Sequence, residues 1–311
     1  MDIQYLLFLQ NLRVMSGGAF DETLNAISKI ALDVVIYLPF VIYWCVDKKW
    51  GNMFLKVFSG SAFFNDAIKL QFCIYRPWIR SNLIEPAGDS KVAATGYSFP
   101  SGHTQYAAAT YGLAGIWQWG KRKWLSILCF AFLLLTMFSR NFLGVHTPQD
   151  VLVAATETFI IIFLFSKLNN WLEKDEKRKD ILTFIAIPII FIVIFYIINK
   201  SYPMDYVDGK LLADPIVLQI DFFASTGYFL GFLVGAFIDR HFIHYEIPQS
   251  SKNLPLLVGI GILIAMSLEL YLCPAFFVVP FGTHWGSLIS KMFVYIFAIA
   301  IYPPLITKFA N

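Results

Sequence analysis

The chain has 311 residues, of which 58% are hydrophobic, 17% aromatic and only 14% charged. That is too apolar to fold around one water-soluble core, so a membrane protein is expected and a soluble enzyme is excluded. The net charge of +3 is carried in short clusters rather than one basic stripe, so no nucleic-acid partner is expected.

From the N-terminus, residues 1–27 form an interfacial segment opening with MDIQYLLFLQNLR, which reads as a short helix lying on the membrane surface. It lacks the basic start and small-residue cleavage site of a removable signal peptide. Apolar runs long enough to cross a hydrocarbon core of ~30 Å follow near 28–46, 53–73, 104–119, 124–139, 150–167, 181–199, 221–238, 254–273 and 285–306. The expected fold class is all-α, a polytopic transmembrane helix bundle of about nine spans. Cys45, Cys73, Cys129 and Cys273 fall in or at the ends of these runs without metal-like spacing, and read as small membrane-buried side chains.

Cytoplasmic loops collect Lys and Arg. The basic turns alternate along the chain: Lys48-Lys49, Lys121-Arg122-Lys123, the stretch from Lys167 to Lys179, and Arg240-His241. Placing them inside puts the N-terminus and the loops 74–103, 140–149, 200–220 and 274–284 outside. The expected setting is a multi-pass protein of a bacterial plasma membrane. In the run from Asp221, Gly227, Gly231 and Gly235 recur at four-residue spacing. Such a stripe lets another helix approach closely, from the same chain or, alternatively, from a second copy in a homo-oligomer.

Three polar clusters interrupt the apolar sequence at the outer ends of spans. In KLQFCIYRP, Lys69 and Arg76 are seven residues apart, two helical turns, so both cations are expected on one helix face before Pro77. Two cations on one face bind an anion. In FPSGHT, Pro100, Ser101 and Gly102 turn into the next span, leaving backbone N–H groups free and Gly102 open to close approach, an anion site beside His103. In SRNFLGVHTPQD, Thr147, Pro148 and Asp150 resemble an N-cap, a first-turn proline and an acidic third residue. Asp150 is placed either to reach back to one nitrogen of His146, leaving the other as a nucleophile, or only to cap the helix. Arg140 adds a third cation whose planar fork binds two phosphate oxygens. Singly, the basic residues read as cations snorkelling to the interface and each histidine as structural. Together, so many ionisable groups near a membrane point to function, and cations, helix N-termini and imidazoles suit phosphoryl transfer.

K-x6-RP from Lys69 to Pro77, PSGH from Pro100 to His103 and SR-x5-H-x3-D from Ser139 to Asp150 resemble, in order, the three signature motifs of the type 2 phosphatidic acid phosphatase (PAP2) superfamily. The resemblance implies a PAP2-like helical core over 28–167, with 168–311 as additional transmembrane helices. It implies His146 as the nucleophile that forms a phosphohistidine, Asp150 as the carboxylate that orients it, and His103 as the general acid. Lys69, Arg76, Ser101, Gly102 and Arg140 would bind the phosphate, and neither a metal nor another cofactor is implied. Nine spans, an outer N-terminus and motifs in the first half are similar to the layout of the glucose-6-phosphatase and sphingosine-phosphate phosphatase branches. Smaller bacterial members end soon after the third motif, so the later helices here depart from them.

The expected activity is hydrolysis of a lipid phosphomonoester or diphosphate, such as an isoprenoid diphosphate or phosphatidic acid, at the outer leaflet among membrane lipids. A soluble sugar phosphate of the glucose-6-phosphatase type is the alternative substrate class. A non-catalytic anion-binding or transport protein is a third reading, and a vanadate-dependent haloperoxidase is disfavoured because it is expected to be soluble. Glu157, seven residues after Asp150, either supports the site or bonds to a neighbouring helix, and Glu269 leaves a similar choice. His241 and His244 read as surface residues rather than half a metal site, and His284 beside Trp285 as interfacial.

Overall fold

Helices begin and end where the apolar runs meet prolines, glycines and basic turns. The computed structural model describes residues 1–310 except 34, 95, 208 and 250. The main helices are α1 (Asp2–Met15), α2 (Asp21–Asp33), α3 (Lys48–Phe72), α4 (102–118), α5 (Lys123–Phe142), α6 (Pro148–Leu172), α7 (Glu176–Asn199), α8 (Pro215–Ile238), α9 (Leu254–Ser267) and α10 (Val279–Ile296). A short hairpin, β1 (Tyr206–Val207) with β2 (Lys210–Leu211), pairs Tyr206 with Leu211 antiparallel. α6 and α8 start on Pro148 and Pro215, whose missing N–H goes unused at a first helical position. The expected all-α bundle is the fold observed.

Over their described residues the apolar runs lie in helices or at helix ends. Among the described residues, six stretches are long and apolar enough to cross a membrane: Asp21–Val46, Lys123–Phe142, Pro148–Leu172, Glu176–Asn199, Pro215–Ile243 and Leu254–Ala310. The last holds two of the expected runs, interrupted at Gly282, whose φ of 74° no helix accommodates. α3 carries Lys48, Lys49, Lys56, Asp66 and Lys69 and is too polar to qualify, and α4 is too short. The chain is a multi-pass membrane protein.

The described chain divides into two compact units. The first comprises Met1–Ile36, Phe64–Ile162 and Lys200–Leu218. One apolar cluster joins α1, α2 and α5 through Leu9, Leu24 and Phe142. A second joins α4, α5 and α6 through Ala107, Ala108, Leu133 and Phe159. A third, of Ala87, Ala94, Leu143 and Val145 packed by Trp78, lies beside the loop that carries His146. α1 buries Leu6 and Leu9 and leaves Tyr5, Phe8 and Leu12 exposed.

The second unit comprises Tyr37–Phe63, Phe163–Asn199 and Gln219–Asn311. Here the glycine stripe meets its partner. A Cβ on Gly227 would strike the carbonyl of Leu288, one on Gly231 the carbonyl of Met292, and one on Gly235 would lie 3.1 Å from Cβ of Ile299. The chain's own α10 and its continuation fill the stripe, so the alternative of a dimer seam through these glycines is overturned: backbones this close leave no surface for a second copy. Glu269 accepts from the Tyr228 hydroxyl and the Lys291 ammonium, a helix-to-helix bond inside this unit. His241 Nε2 lies 2.9 Å from Asp180 Oδ2, and His284 Nε2 lies 3.2 Å from Gln219 Oε1.

Candidate active site

The first cluster is built differently from the expected shared helix face. α3 ends at Phe72, and Cys73 turns the chain with a φ of 51°. Arg76 then stands in extended backbone, φ −61° and ψ 153°, capping the short helix Pro77–Arg80. A residue before proline is pushed out of the helical region, so Arg76 was never able to continue α3. Lys69 therefore reaches the site from the last turn of α3 and Arg76 from a loop.

Lys69 Nζ lies 3.6 Å from Asp66 Oδ1 and 3.8 Å from where a Cβ on Gly102 would stand. A Cβ at 102 would be in van der Waals contact with the ammonium. Ser101 caps α4, its hydroxyl accepting from the Thr104 N–H at 3.4 Å, and its own N–H donates to the Asp150 carbonyl at 3.1 Å. The N-termini of α4 and α6 are tied together by that bond. His103, in the first turn of α4, is half-buried and lies in the electrostatic field of Arg140, His146, Arg76 and Lys69.

At the third cluster, Thr147 and Asp150 form a reciprocal cap. The Thr147 N–H donates to Asp150 Oδ2 at 2.7 Å, and the Asp150 N–H donates to Thr147 Oγ1 at 3.4 Å. The same Oδ2 lies 3.4 Å from His146 Nδ1. Capping and facing the imidazole are thus both done by one oxygen. The loop before it is held by Arg140, whose carbonyl accepts the N–H groups of Val145 and His146, each at 3.2 Å. On the other side of the ring, His146 Nε2 lies 2.9 Å from an Arg76 guanidinium nitrogen. Arg76 also donates to the carbonyls of Gly96 at 3.2 Å and Val145 at 3.1 Å. Burial, then the Arg76 charge, hold the His146 imidazole down to about 3 against the opposing pull of Asp150.

Arg140 is 1% exposed. One terminal nitrogen donates to the Ser28 hydroxyl at 3.0 Å, while its buried Nε meets no protein acceptor. A buried guanidinium with a spare donor is costly unless an anion joins it.

Lys69, Arg76, Ser101, Gly102, His146 and Asp150 are linked through these contacts, with His103 next to Gly102 in the first turn of α4 and Arg140 beside them by its bonds to the His146 loop. Three supporting residues are not among the defining positions of the motifs. Ser98 donates to Asp150 Oδ2 at 2.6 Å, Asn141 donates to the His146 carbonyl at 2.9 Å, and Ser28 holds Arg140. Ser98 is fully buried, and its only sequence signal is a hydroxyl two residues ahead of Pro100. Glu157 accepts from Asn65 Nδ2 at 2.9 Å, a bond between α6 and α3.

Residues 51–174 match the profile of the PAP2 superfamily. The chain is similar to phosphatidylglycerophosphatase B of Escherichia coli (strain K12), 40% identical over 72 residues, covering 22% of this chain and 27% of that protein. It is also similar to phosphatidylglycerophosphatase B of Haemophilus influenzae, 44% identical over 82 residues, covering 24% of this chain and 34% of that protein. The aligned stretch thus spans about a quarter to a third of these relatives' length. No solved structure matches the chain. Over residues 51–174, which hold all three polar clusters, the chain carries a PAP2 superfamily domain.

Proposed function

We propose that this chain is an integral membrane phosphatase that hydrolyses a phosphomonoester or diphosphate of a lipid at the extracytoplasmic face, through a phosphohistidine on His146. One observation carries the reading: the His146 ring is held between a carboxylate at Nδ1 and a guanidinium at Nε2. A proton on Nδ1 facing Asp150 leaves the lone pair on Nε2. In the free protein that lone pair accepts from Arg76. A phosphate dianion is the stronger acceptor, because the guanidinium then meets an opposite charge where it now faces a neutral ring. Arg76 then turns to the phosphate oxygens and releases Nε2 to attack phosphorus.

In that step the N–P bond forms, the P–O bond to the leaving group breaks, and His103 gives its proton to the departing oxygen. His103 next takes a proton from water, which attacks phosphorus. The N–P bond breaks with its electron pair returning to Nε2, and phosphate leaves. Lys69, Arg76, Arg140, Ser101 and the Gly102 N–H hold the charge that develops on the phosphoryl oxygens. A lipid substrate is favoured by the relatives named phosphatidylglycerophosphatase B and by the apolar helices that carry the cluster. The alternation of basic loops supports the outer face, with α3 and α4 counted as crossings.

The test is phosphate release by purified protein in EDTA from phosphatidylglycerophosphate, phosphatidic acid, an isoprenoid diphosphate and glucose 6-phosphate. Lipid substrates are expected to turn over at least about tenfold faster than the sugar phosphate, and His146→Ala to lose activity on all by on the order of 10³-fold. Preference for the sugar phosphate, or a requirement for added metal, would count against this reading.

A further inference from the structure

Residues 200–218 belong to the first unit, although α7 before them and the body of α8 after them belong to the second. They also lie beyond the 51–174 match. Their contacts converge on the stretch that presents Arg76. Lys200 Nζ donates to the Leu70 carbonyl at 2.7 Å and lies 3.4 Å from Cys73 Sγ. A cation there bonds a carbonyl in the last turn of α3 that also accepts from the Cys73 thiol at 3.1 Å, and opposes the negative end of the helix dipole. The Tyr75 hydroxyl donates to Asp205 Oδ2 at 2.6 Å. The Asp205 carbonyl in turn accepts the Leu212 N–H at 2.9 Å, closing the chain around the β1–β2 hairpin. Buried Leu218 covers Gly96, where φ is 67° and a Cβ would lie 2.5 Å from Leu218 Cδ2.

These three anchors fall on Leu70, on Tyr75 and on Gly96. Tyr75 is the residue before Arg76, and the Gly96 carbonyl is one of the acceptors of the Arg76 guanidinium. Arg76 stands past the end of α3 and ahead of a proline, its carbonyl accepting the N–H groups of Ile79 and Arg80 in the four-residue helix that follows, so the α3 ladder does not fix its backbone from the other side. The charge pattern puts the 200–220 loop on the same side of the membrane as the motif loops.

We propose that residues 200–218 are a positioning strap for Arg76, through which a part of the chain outside the matched domain sets how tightly the site holds phosphate. The proposal rests on the phosphatase reading of that site. The strap touches no reacting group. It fixes the backbone of Arg76, so that when phosphate draws the guanidinium away from His146 only the side chain moves. A loosened strap spreads Arg76 over positions that hold phosphate less well.

The test uses the full-length protein with Lys200→Met, Asp205→Ala and Leu218→Ala, and with Lys200→Arg and Asp205→Asn as conservative variants that keep a donor or an acceptor. In the first three, KM and the inhibition constant for orthovanadate are expected to rise together by about fivefold or more, with kcat at saturation within about threefold of wild type. Lys200→Arg and Asp205→Asn are expected to recover most of the loss. Unchanged KM and vanadate inhibition, or a loss confined to kcat or to the amount of folded protein, would overturn the strap. His146→Ala, assayed alongside, separates the two readings. If it is inactive while the strap variants behave as wild type, the strap alone falls. If it is fully active, the site reading falls and the strap with it.

Discussion

His146 is buried at 2% exposure between Arg76 and Asp150, and that placement decides its protonation. Burial and the Arg76 charge hold its imidazole down to about 3, against an ordinary value of 6.5. On the proposed mechanism the neutral ring attacks, so as pH falls through 6.5 His146 stays competent where an exposed histidine would be lost. The acid limb of kcat/KM is therefore expected below about pH 6, checked by steady-state kinetics across pH, and a limb at the ordinary histidine value would contradict this placement. The same shift costs stability on acidification. Between 6.5 and about 3 the unfolded chain takes up a proton that the native chain refuses, so the native state weakens as pH falls through that window. His146, Asp150, Arg140 and His103 were legible in the sequence because their chemistry is unusual in an apolar chain. Ser98 and Ser28 were not, because serine is ordinary in any loop or helix and their partners lie 52 and 112 residues away.

At the level of elements, helix starts were more legible than helix ends. Thr147, Pro148 and Asp150 mark the start of α6 through local chemistry, and the reciprocal bonds form as read. The end of α3 is set instead by Cys73 in a left-handed conformation, which few residue types advertise. For that reason the spacing of Lys69 and Arg76 suggested one helix face where the structure has a helix and a loop. The glycine stripe of α8 was legible as a close approach but not as to its partner. Because a Cβ on Gly231 would strike the Met292 carbonyl and one on Gly235 would only press on the Ile299 side chain at 3.1 Å, the two positions differ in tolerance. Gly231→Ala is expected to destabilise by about 1–3 kcal/mol, read as a lower midpoint of thermal unfolding in detergent, with Gly235→Ala milder. Equal melting of Gly231→Ala and wild type would show that the helices are not packed this closely.

For the whole molecule, composition and charge alternation were enough to establish a helical membrane protein. The number of crossings was less legible, because α3 mixes span-like length with Lys56, Asp66 and Lys69, and because Leu254–Ala310 runs two apolar segments together across Gly282. Nor did linear order reveal that residues 200–218 group with the motif-bearing segments, since that grouping rests on long-range contacts to Leu70, Tyr75 and Gly96. The proposed reaction turns on one covalent event on one nitrogen. Acid-free quenching of the purified protein during turnover of a lipid substrate labelled in its phosphate, followed by peptide mapping, measures it directly. The account predicts phosphate that is stable in alkali, labile in acid and attached to His146, and none in His146→Ala. Label on any other residue, or full turnover by a protein that never carries label on His146, would contradict it.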